Sequence, residues 1–271
     1  MAAVPPQLFA IFANLLEETA GIHYGPNDRE LFESKLAAQA EESGYDTLLD
    51  YYYRLRYDDP TGDERRRLVE ALVVHETYFF RELPPLVELV DGYISHVVRE
   101  RGRARIWSAA CATGEEPLTL AMLLDHRGLL DHVEIVASDI SRQAVARARS
   151  GRYSKRALRD GYPAELARRY LDVTETGITV SPRLLARIGL RTLNLLDDAT
   201  VASLGVFDAI VCRNVLIYFR DAVTVQVVER LGRALAKDGL LCVGISESLL
   251  RFGTALACEE RGGSFFYRRA R

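Results

Sequence analysis

The chain has 271 residues, 48% of them hydrophobic and 27% charged, and a formal net charge of −3 at pH 7. This composition is typical of an ordinary globular protein, and the slightly acidic charge argues against nucleic acid as the main partner. The apolar runs are too short for a membrane-spanning helix, and the N-terminus lacks the basic region of a signal peptide. Neither the four cysteines nor the five histidines show metal-ligand spacing. We therefore expect a cytoplasmic protein with reduced thiols, no bound metal and no direct membrane insertion.

Residues 1–82 are predicted to form an N-terminal helical domain. Apolar side chains recur at helical spacing in four stretches, of which the fourth covers Glu64–Phe80. The second stretch, Asp28–Glu42, is rich in acidic side chains. Two consecutive prolines then interrupt the pattern, so that residues 83–104 are predicted to be a connecting helix and linker.

Residues 105–271 alternate between predicted strands and helices. This alternation implies a doubly wound parallel sheet with helices on both faces. The strands are expected at 105–110, 132–138, 190–196, 207–212 and 240–245, and the helices at 115–127, 141–150 and 221–236. The more polar stretch 151–190 interrupts the alternation and is predicted to be a small inserted subdomain. A terminal antiparallel hairpin, at 255–258 and 264–267, closes the sheet in the manner of many methyltransferases.

The stretch Arg105–Pro117, RIWSAACATGEEP, has the pattern of a strand, a tight turn and a helix start. Small side chains in the turn let a ligand approach the backbone, and ligands of doubly wound sheets bind at this edge. Glu115 and Glu116, at the helix start, would repel a pyrophosphate but suit a ligand with hydroxyl groups and a cationic centre. Asp139 ends the next strand, where an acid accepts hydrogen bonds from a ribose diol. The pattern fits NAD or S-adenosylmethionine, and the incomplete G-x-G-x-x-G argues against NAD.

Six segments carry a resemblance to a known family. In chain order they are HETYFFRE (75–82), SAACATGEEP (108–117), ASDIS (137–141), NLL (194–196), CRNVLIYF (212–219) and KDGLLCVGISES (237–248). With these segments the chain resembles the chemotaxis glutamate methyltransferases of the CheR type, from about residue 8 to its end. The resemblance implies an α/β fold: a Rossmann-like S-adenosylmethionine-dependent methyltransferase sheet, an N-terminal all-α domain, and a small inserted subdomain that can bind a receptor tail.

The implied activity is methyl esterification of glutamates on chemoreceptor-like proteins, in their cytoplasmic helical region, with S-adenosylhomocysteine as the product. Carried over position by position, the family's cofactor contacts fall on His75, Thr77, Arg81, Ala110, Glu115, Asp139, Asn194, Leu195, Arg213 and Asn214. Arg81 and Tyr218 are expected nearest the transferred methyl group, as the catalytic pair. Core packing is the alternative for Tyr218, and hydrogen bonding at its own strand end is the alternative for Asn214.

For Arg81 and Asp139 the sequence also leaves a second interpretation open. Arg81 can pair with Glu76 or Glu82, and Asp139 can cap the helix that begins at Ser141. In both cases the side chain would be structural and would not bind a ligand.

Two positions depart from the family pattern. The family usually has Asn where His75 stands and Gly where Ala110 stands. His75 can still donate a hydrogen bond, whereas Ala110 is strained if its φ angle is positive. These changes keep open a non-catalytic regulator that binds S-adenosylmethionine or S-adenosylhomocysteine.

The acidic second helix is the larger departure. Family members commonly present arginines there to an acidic receptor helix, whereas the stretch Asp28–Asp46 holds six acids against two basic residues. Such a face would repel a glutamate-rich substrate. Either other residues, such as Arg54, Arg56 and Arg65–Arg67, recognise the receptor, or the acceptor is a different protein or a small molecule.

Overall fold

The computed structural model describes residues 4–270, which divide into two compact units. The helical unit comprises residues 4–74 with 218–223, and the sheet unit comprises 75–217 with 224–270. The first stretch of the helical unit ends at Val74, whereas the sequence analysis draws the domain boundary at residue 82. No helix within the described residues is both long and apolar enough to cross a membrane.

The helical unit is built from four α-helices whose apolar faces pack together. They are α1 (Pro6–Ala20), α2 (Arg29–Glu42), α3 (Leu48–Tyr57) and α4 (Asp63–Leu72). Phe12, Phe32 and Leu68 are almost completely buried, as the helical periodicity of the apolar side chains predicts. Thr47 caps α3, because its hydroxyl accepts a hydrogen bond from the backbone N–H of Asp50.

Helix α4 ends at Leu72, so the prediction that it continues to Phe80 is wrong. Val73 leaves the helix with an extended backbone, φ −64° and ψ 153°, which suits its β-branched side chain. Phe79 is fixed outside the helix, because its N–H donates to the carbonyl oxygen of Ala157 at 2.8 Å. The Phe79 ring is buried in the core of the sheet unit. Tertiary packing therefore overrides the helical apolar pattern at this point.

A short segment from the second half of the chain, Tyr218–Val223, belongs to the helical unit. The backbone N–H of His23 donates to the carbonyl oxygen of Tyr218 at 2.8 Å. Next to this bond, Ile22 and Phe219 form an antiparallel bridge. The residues at the end of the CRNVLIYF motif therefore pack with residues near the start of the chain.

The sheet unit alternates strands and helices along the chain. Its strands are β1 (Ala104–Ala109), β2 (Val133–Asp139), β3 (Arg152–Tyr153), β4 (Leu171–Val173), β5 (Ile178–Val180), β6 (Ile188–Thr192), β7 (Phe207–Cys212), β8 (Leu235–Val243), β9 (Leu256–Arg261) and β10 (Ser264–Arg269). Its helices are α5 (Leu83–Glu88), α6 (Ser95–Arg101), α7 (Glu115–His126), α8 (Arg142–Ser150), α9 (Ala164–Ala167), α10 (Pro182–Leu185), α11 (Asp198–Ser203) and α12 (Asp221–Ala234), the last beginning in the helical unit. A π-helical turn, Leu89–Ile94, joins α5 to α6.

Seven of these strands form one sheet in the order β6-β2-β1-β7-β8-β10-β9. The first five are parallel, and β10 runs antiparallel to both of its neighbours. Every residue of the central strand β7 is buried, as expected for a parallel sheet covered on both faces. The predicted Rossmann-like fold with its terminal hairpin is therefore confirmed.

Strand β1 lies in the middle of this sheet, between β2 and β7. The chain first builds outward from β1 through β2 to β6, and then returns to build the other half from β7. The strand order thus reverses at β1. In sheets of this kind, ligands bind in the crevice outside the carboxyl ends of the strands at the point of reversal.

The insert 151–190 contains a separate three-stranded antiparallel sheet in the order β3-β5-β4. The buried side chains of Tyr153, Ile178 and Val180 join the core of the sheet unit. The Tyr153 hydroxyl donates to the carbonyl oxygen of Thr113 at 2.8 Å, and burial raises the pKa of that hydroxyl. The insert therefore supports the turn between β1 and α7 from one side.

Candidate functional site

The turn between β1 and α7 has an unusual backbone. Ala110 and Ala112 are left-handed, with φ of 58° and 46°, and Gly114 follows with φ of 95°. A left-handed alanine costs roughly 1–2 kcal/mol, so the departure from the family pattern at Ala110 is the strained case. At Gly114 a Cβ atom would come within 2.6 Å of the Cβ of Ala148, which leaves room only for glycine. The backbone of this turn is therefore strained, and it lies at the carboxyl edge of the sheet. Strained backbone is often found at ligand-binding sites.

Asp139 holds this turn against the end of β2. One of its carboxylate oxygens accepts from the N–H of Ala112 at 2.8 Å, and the other accepts from the N–H of Ser141 at 2.9 Å. The cap of α8 is Ser141 itself, whose hydroxyl accepts from the N–H of Ala144. The buried carboxylate of Asp139 therefore joins the start of α8 to the turn.

The two acids that begin α7 have different partners. Glu115 is 4% exposed and accepts from the Thr113 hydroxyl at 2.7 Å, and burial raises the pKa of its carboxyl. Glu116 accepts from the Ser108 hydroxyl at 2.7 Å and from Nη1 of Arg213 at 3.2 Å. Burial raises the pKa of Glu116 as well, although the charge of Arg213 opposes this shift. Glu116 thus belongs to an internal ion pair, whereas Glu115 lies beside the turn.

Arg213, directly after β7, is the centre of a buried charge network. Its side chain is 1% exposed. Nη2 donates to the carbonyl oxygen of Arg81 at 2.8 Å and to the Glu82 carboxylate at 3.0 Å, while Nη1 contacts Glu116. Burial by itself lowers the pKa of Arg213, but the charges of the two carboxylates outweigh it and raise the pKa. The guanidinium therefore joins the 81–82 segment to the ends of the central strands.

Glu82 is part of this network, although the sequence motifs did not single it out as a site residue. Its φ is 46°, and its carboxylate accepts from Arg213, from the side-chain amide of Asn214 at 3.2 Å and from the N–H of Ile245 at 3.3 Å. Burial is the largest single influence and raises the pKa of Glu82, but the hydrogen bond and the charge of Arg213, together with the bonds from Asn214 and Ile245, outweigh it and the pKa is lowered. Arg213 follows a fully buried strand, and a buried guanidinium needs carboxylate partners. The sequence therefore indicates that an acid such as Glu82 pairs with Arg213.

Asn214 and Glu247 connect the ends of β7 and β8. The Glu247 carboxylate accepts from the N–H groups of Asn214 at 2.7 Å, Gly244 at 2.7 Å and Ile217 at 3.2 Å. Burial raises the pKa of Glu247 in spite of these three bonds. Asn214 is left-handed, with φ of 58°, and its side chain extends to Glu82. Asn214 therefore does more than complete the end of its own strand.

The segment before α5 contributes His75, Thr77 and Arg81. Arg81 donates from Nη1 to the carbonyl oxygen of Glu76 at 2.8 Å, and its Nε lies 3.9 Å from Glu82. The ion pair of Arg81 with Glu82 is therefore present, whereas the carboxylate of Glu76 pairs with Arg159. Thr77 is half-buried. The Nε2 atom of His75 is buried and has no hydrogen-bond partner among residues 4–270, which is the condition that a bound polar group would relieve.

Asn194 and Leu195 follow β6 and flank the end of β2. The N–H of Leu193 donates to the carbonyl oxygen of Asp139 at 2.8 Å. The side-chain oxygen of Asn194 accepts from the N–H of Leu196 at 3.0 Å, and Leu195 is buried. The loop after β6 is thereby fixed next to Asp139.

The carboxyl edge of the sheet thus brings together Glu115, Asp139, the loop at Asn194 and the network around Arg213. Tyr218 lies in the helical unit. The carboxylates suit hydroxyl groups and a cationic centre, and the unpartnered Nε2 of His75 suits a further polar group, so these residues fit a methyl-donating nucleoside. Within residues 4–270, no group of three or more His, Cys, Asp or Glu side chains is arranged to hold a metal ion.

Comparison with known protein families decides the assignment. Residues 7–73 match the family described as "CheR methyltransferase, all-alpha domain", and residues 75–261 match "CheR methyltransferase, SAM binding domain". The chain belongs to the CheR methyltransferase family. As a member of this family it is an S-adenosylmethionine-dependent methyltransferase, and the predictions of family, enzyme class and cofactor are confirmed.

The CheR family relatives include chemotaxis proteins and a protein with a different role. Chemotaxis protein methyltransferase 1 of Pseudomonas aeruginosa is 36% identical over 89% of this chain and 90% of its own length. The chemotaxis protein methyltransferase of Escherichia coli is 33% identical over 89% of this chain and 84% of its own. A probable biofilm formation methyltransferase, WspC of Pseudomonas putida, is 33% identical over 88% of this chain and 56% of its own.

Proposed function

We propose that this CheR family member forms glutamate methyl esters on chemoreceptor-like proteins, in their cytoplasmic helical region, and releases S-adenosylhomocysteine. Relatives that match almost the whole chain carry the name chemotaxis protein methyltransferase. That relationship supports the proposed acceptor and a cytoplasmic location.

The observation that carries the proposal is the contact between Asp139 and the strained turn after β1. An acid at the end of β2, bonded to a turn without bulky side chains, is placed to accept hydrogen bonds from a ribose diol. Cofactor binding is assigned to His75, Thr77, Arg81, Ala110, Glu115, Asp139, Asn194, Leu195, Arg213 and Asn214. Among these, Arg213 uses Nη1 and Nη2 within the protein to hold the segment that carries Arg81, whereas its buried Nε has no hydrogen-bond partner among residues 4–270 and suits a bound polar group.

The chemistry supplied by the cofactor is a methyl group activated by a cationic sulfur. An acceptor glutamate, with a pKa of about 4.3, is already ionised near neutral pH, so no residue has to act as a general base. The protein must align the carboxylate with the methyl group and exclude water, and orientation alone can lower the barrier by several kcal/mol. The buried carboxyl edge of the sheet suits that task.

Arg81 and Tyr218 are proposed to act at the reacting atoms. Arg81 uses Nη1 for the carbonyl oxygen of Glu76, and its Nε lies 3.9 Å from the Glu82 carboxylate. Nη2 is the group that we assign to a carboxylate, either that of the incoming glutamate or that of the cofactor. Tyr218 would position the acceptor.

The proposal is tested by incubating the protein with methyl-labelled S-adenosylmethionine and receptor-containing membranes. We expect label on the receptors that base releases as methanol. Asp139→Ala should weaken cofactor binding at least about tenfold by calorimetry, because it removes a buried acceptor and loosens the turn. Asp131→Ala, at the other end of β2, is the control and should bind as the unaltered protein does. Turnover with other acceptors but no base-labile label on receptors would refute the proposed substrate.

A second candidate is the same chemistry on a different acceptor, and the surface charges of the helical unit favour it. Each arginine considered for receptor recognition is already in an ion pair within that unit. The pairs are Arg54 with Asp58, Arg56 with Glu18, Arg65 with Asp59, Arg66 with Asp63 and Arg67 with Glu64. A glutamate-rich helix would have to compete with these acids. Labelling of a non-receptor protein in a whole-cell extract, with receptors inert, would support this candidate.

A further inference from the structure

The two units carry opposite net charges, which bears on where an acidic acceptor can dock. The helical unit has 8 basic and 15 acidic side chains, a net charge of −7. The remaining 27 basic and 23 acidic side chains, with the C-terminal Arg271 counted in the sheet unit, give that unit a net charge of +4. A partner rich in carboxylates is therefore attracted to the sheet unit and repelled by the helical unit.

Three aliphatic side chains stand exposed at the carboxyl edge of the sheet unit. Ile217, Ile245 and Leu250 are 54%, 74% and 72% exposed, and we call them the aliphatic rim. Ile217 follows β7, and the other two follow β8. Single exposed aliphatic residues are common, but these three occupy neighbouring loops at the edge where the ligand crevice opens.

Hydrogen bonds to three side chains fix the backbone beneath the aliphatic rim. The N–H of Ile217 donates to Glu247 at 3.2 Å, and the N–H of Ile245 donates to Glu82 at 3.3 Å. The N–H of Leu249, just before Leu250, donates to the Tyr267 hydroxyl at 3.0 Å. A surface that is already ordered loses less conformational entropy on binding than a mobile loop does. The rim therefore has the rigidity of a docking surface.

The aliphatic rim also lies beside the groups that surround the reaction. Glu247 bonds to Asn214 as well as to Ile217, and Glu82 bonds to Asn214 and Ile245. An acceptor seated on the rim would bring a neighbouring carboxylate to the ends of β7 and β8. Arg251 is exposed next to Leu250 and its guanidinium lies 4.3 Å above the Phe252 ring.

We infer that the aliphatic rim docks the glutamate-bearing helix of the acceptor, in contact with apolar side chains one helical turn from the methylated glutamate. This inference rests on the proposed function. It places recognition of an acidic protein on the positively charged unit and leaves the ion-paired arginines of α3 and α4 undisturbed. Aliphatic contacts supply affinity that salt does not screen, and the glutamate supplies the reacting carboxylate.

The test compares steady-state methylation of receptor membranes by the full-length protein and its variants. Ile245→Ser together with Leu250→Ser should raise the KM for the acceptor about tenfold with little change in kcat, because two central apolar contacts are lost. S-adenosylmethionine affinity by calorimetry should be unchanged. Ile245→Leu, which keeps the aliphatic surface, should retain the KM of the unaltered protein.

Val206→Ser is the matched control, because Val206 is 54% exposed and lies at the amino end of β7, opposite the rim. It should leave the KM for the acceptor unchanged. An unchanged KM in the Ile245→Ser, Leu250→Ser variant would overturn the inference while leaving the methyltransferase assignment intact. If the unaltered protein transfers no methyl group to receptors at all, the proposed substrate fails, and the inference fails with it.

Discussion

Individual residues at the carboxyl edge adopt backbone conformations that their side chains disfavour. Phe80, Glu82, Ala110, Ala112 and Asn214 all have positive φ and none is glycine. All five lie in the sheet unit, in the segment before α5, the turn after β1 and the loop after β7. Strain of this kind persists only where the surroundings determine it. Here the N–H of Ala112 donates to Asp139, that of Asn214 to Glu247 and that of Phe80 to the Thr119 hydroxyl.

Replacing Ala110 with glycine should stabilise the protein. Its φ of 58° costs alanine roughly 1–2 kcal/mol, and the greater freedom of glycine in the unfolded chain takes back part of that gain. We expect Ala110→Gly to raise the free energy of unfolding by about 1 kcal/mol, measured by urea denaturation. Ala109→Gly, in strand β1, should destabilise instead. Equal losses in both variants would contradict the strain interpretation.

Among the secondary-structure elements, the network of Glu82, Arg213 and Glu116 joins three parts of the chain that are far apart in sequence. The apolar periodicity of each element gives no sign of this connection. Glu82 precedes α5, Arg213 follows β7, and Glu116 lies in α7. The bond between Arg213 and Glu82 spans 131 positions. Removing one member would leave a buried charge without its partner, which costs more than the pair contributes. The network therefore holds the segment carrying Arg81 in one position.

The stability contribution of Glu82 should depend on pH in a defined direction. Its pKa lies below the ordinary value of 4.5, because the hydrogen bond and the charge of Arg213, with the hydrogen bonds from Asn214 and Ile245, together outweigh the raising effect of burial. The stabilisation is therefore present above pH 4.5 and is lost as the pH falls through the lowered pKa. Glu82→Gln should cost about 2 kcal/mol at neutral pH, with the deficit shrinking under acid conditions.

Urea unfolding of both proteins across the acid range measures this effect. Glu76→Gln is the control, because Glu76 is exposed and its pKa is lowered by Arg159 at the surface. Surface pairs contribute little, so the control should differ little from the unaltered protein at any pH. A Glu82→Gln deficit that is the same at neutral and acid pH would show that the carboxylate charge is not what stabilises the segment.

For the whole molecule, the contrast between the helical unit at −7 and the sheet unit at +4 is the property that most affects its partners. Net charge acts over the Debye length, about 8 Å at physiological ionic strength, and so governs encounter more than the final contact. The net charges of the two units favour the encounter of an acidic acceptor with the sheet unit over its encounter with the helical unit.

The effect of salt on the KM for an acidic acceptor should therefore show whether the acceptor docks on the sheet unit or on the helical unit. If the acceptor docks on the sheet unit, raising NaCl from about 0.05 M to about 0.5 M screens an attraction and should raise the KM several-fold. The affinity for S-adenosylmethionine, measured in the same buffers, is the reference. A KM that falls with added salt would place the acceptor on the acidic helical unit instead.

Local sequence was sufficient for the strand, turn and helix around Glu115 and for the acid at Asp139. Alternating apolar residues, small turn residues and a strand-ending acid lie within a few positions of one another, and chain geometry converts that spacing into an edge of the sheet. The six motifs in their shared order were sufficient for the family.

Tertiary structure decided those features that depend on contacts between residues far apart in the sequence. It ended α4 at Leu72, because Phe79 is buried in the sheet unit. It made Ala110 left-handed, placed Tyr218 with the helical unit and brought Glu82 to Arg213. The periodicity of apolar residues indicates which face of a helix or strand is buried. It carries no information on which buried charged side chains form ion pairs with each other. Pairings across more than a hundred positions are set by strand order and packing, and these exist only once the chain has folded.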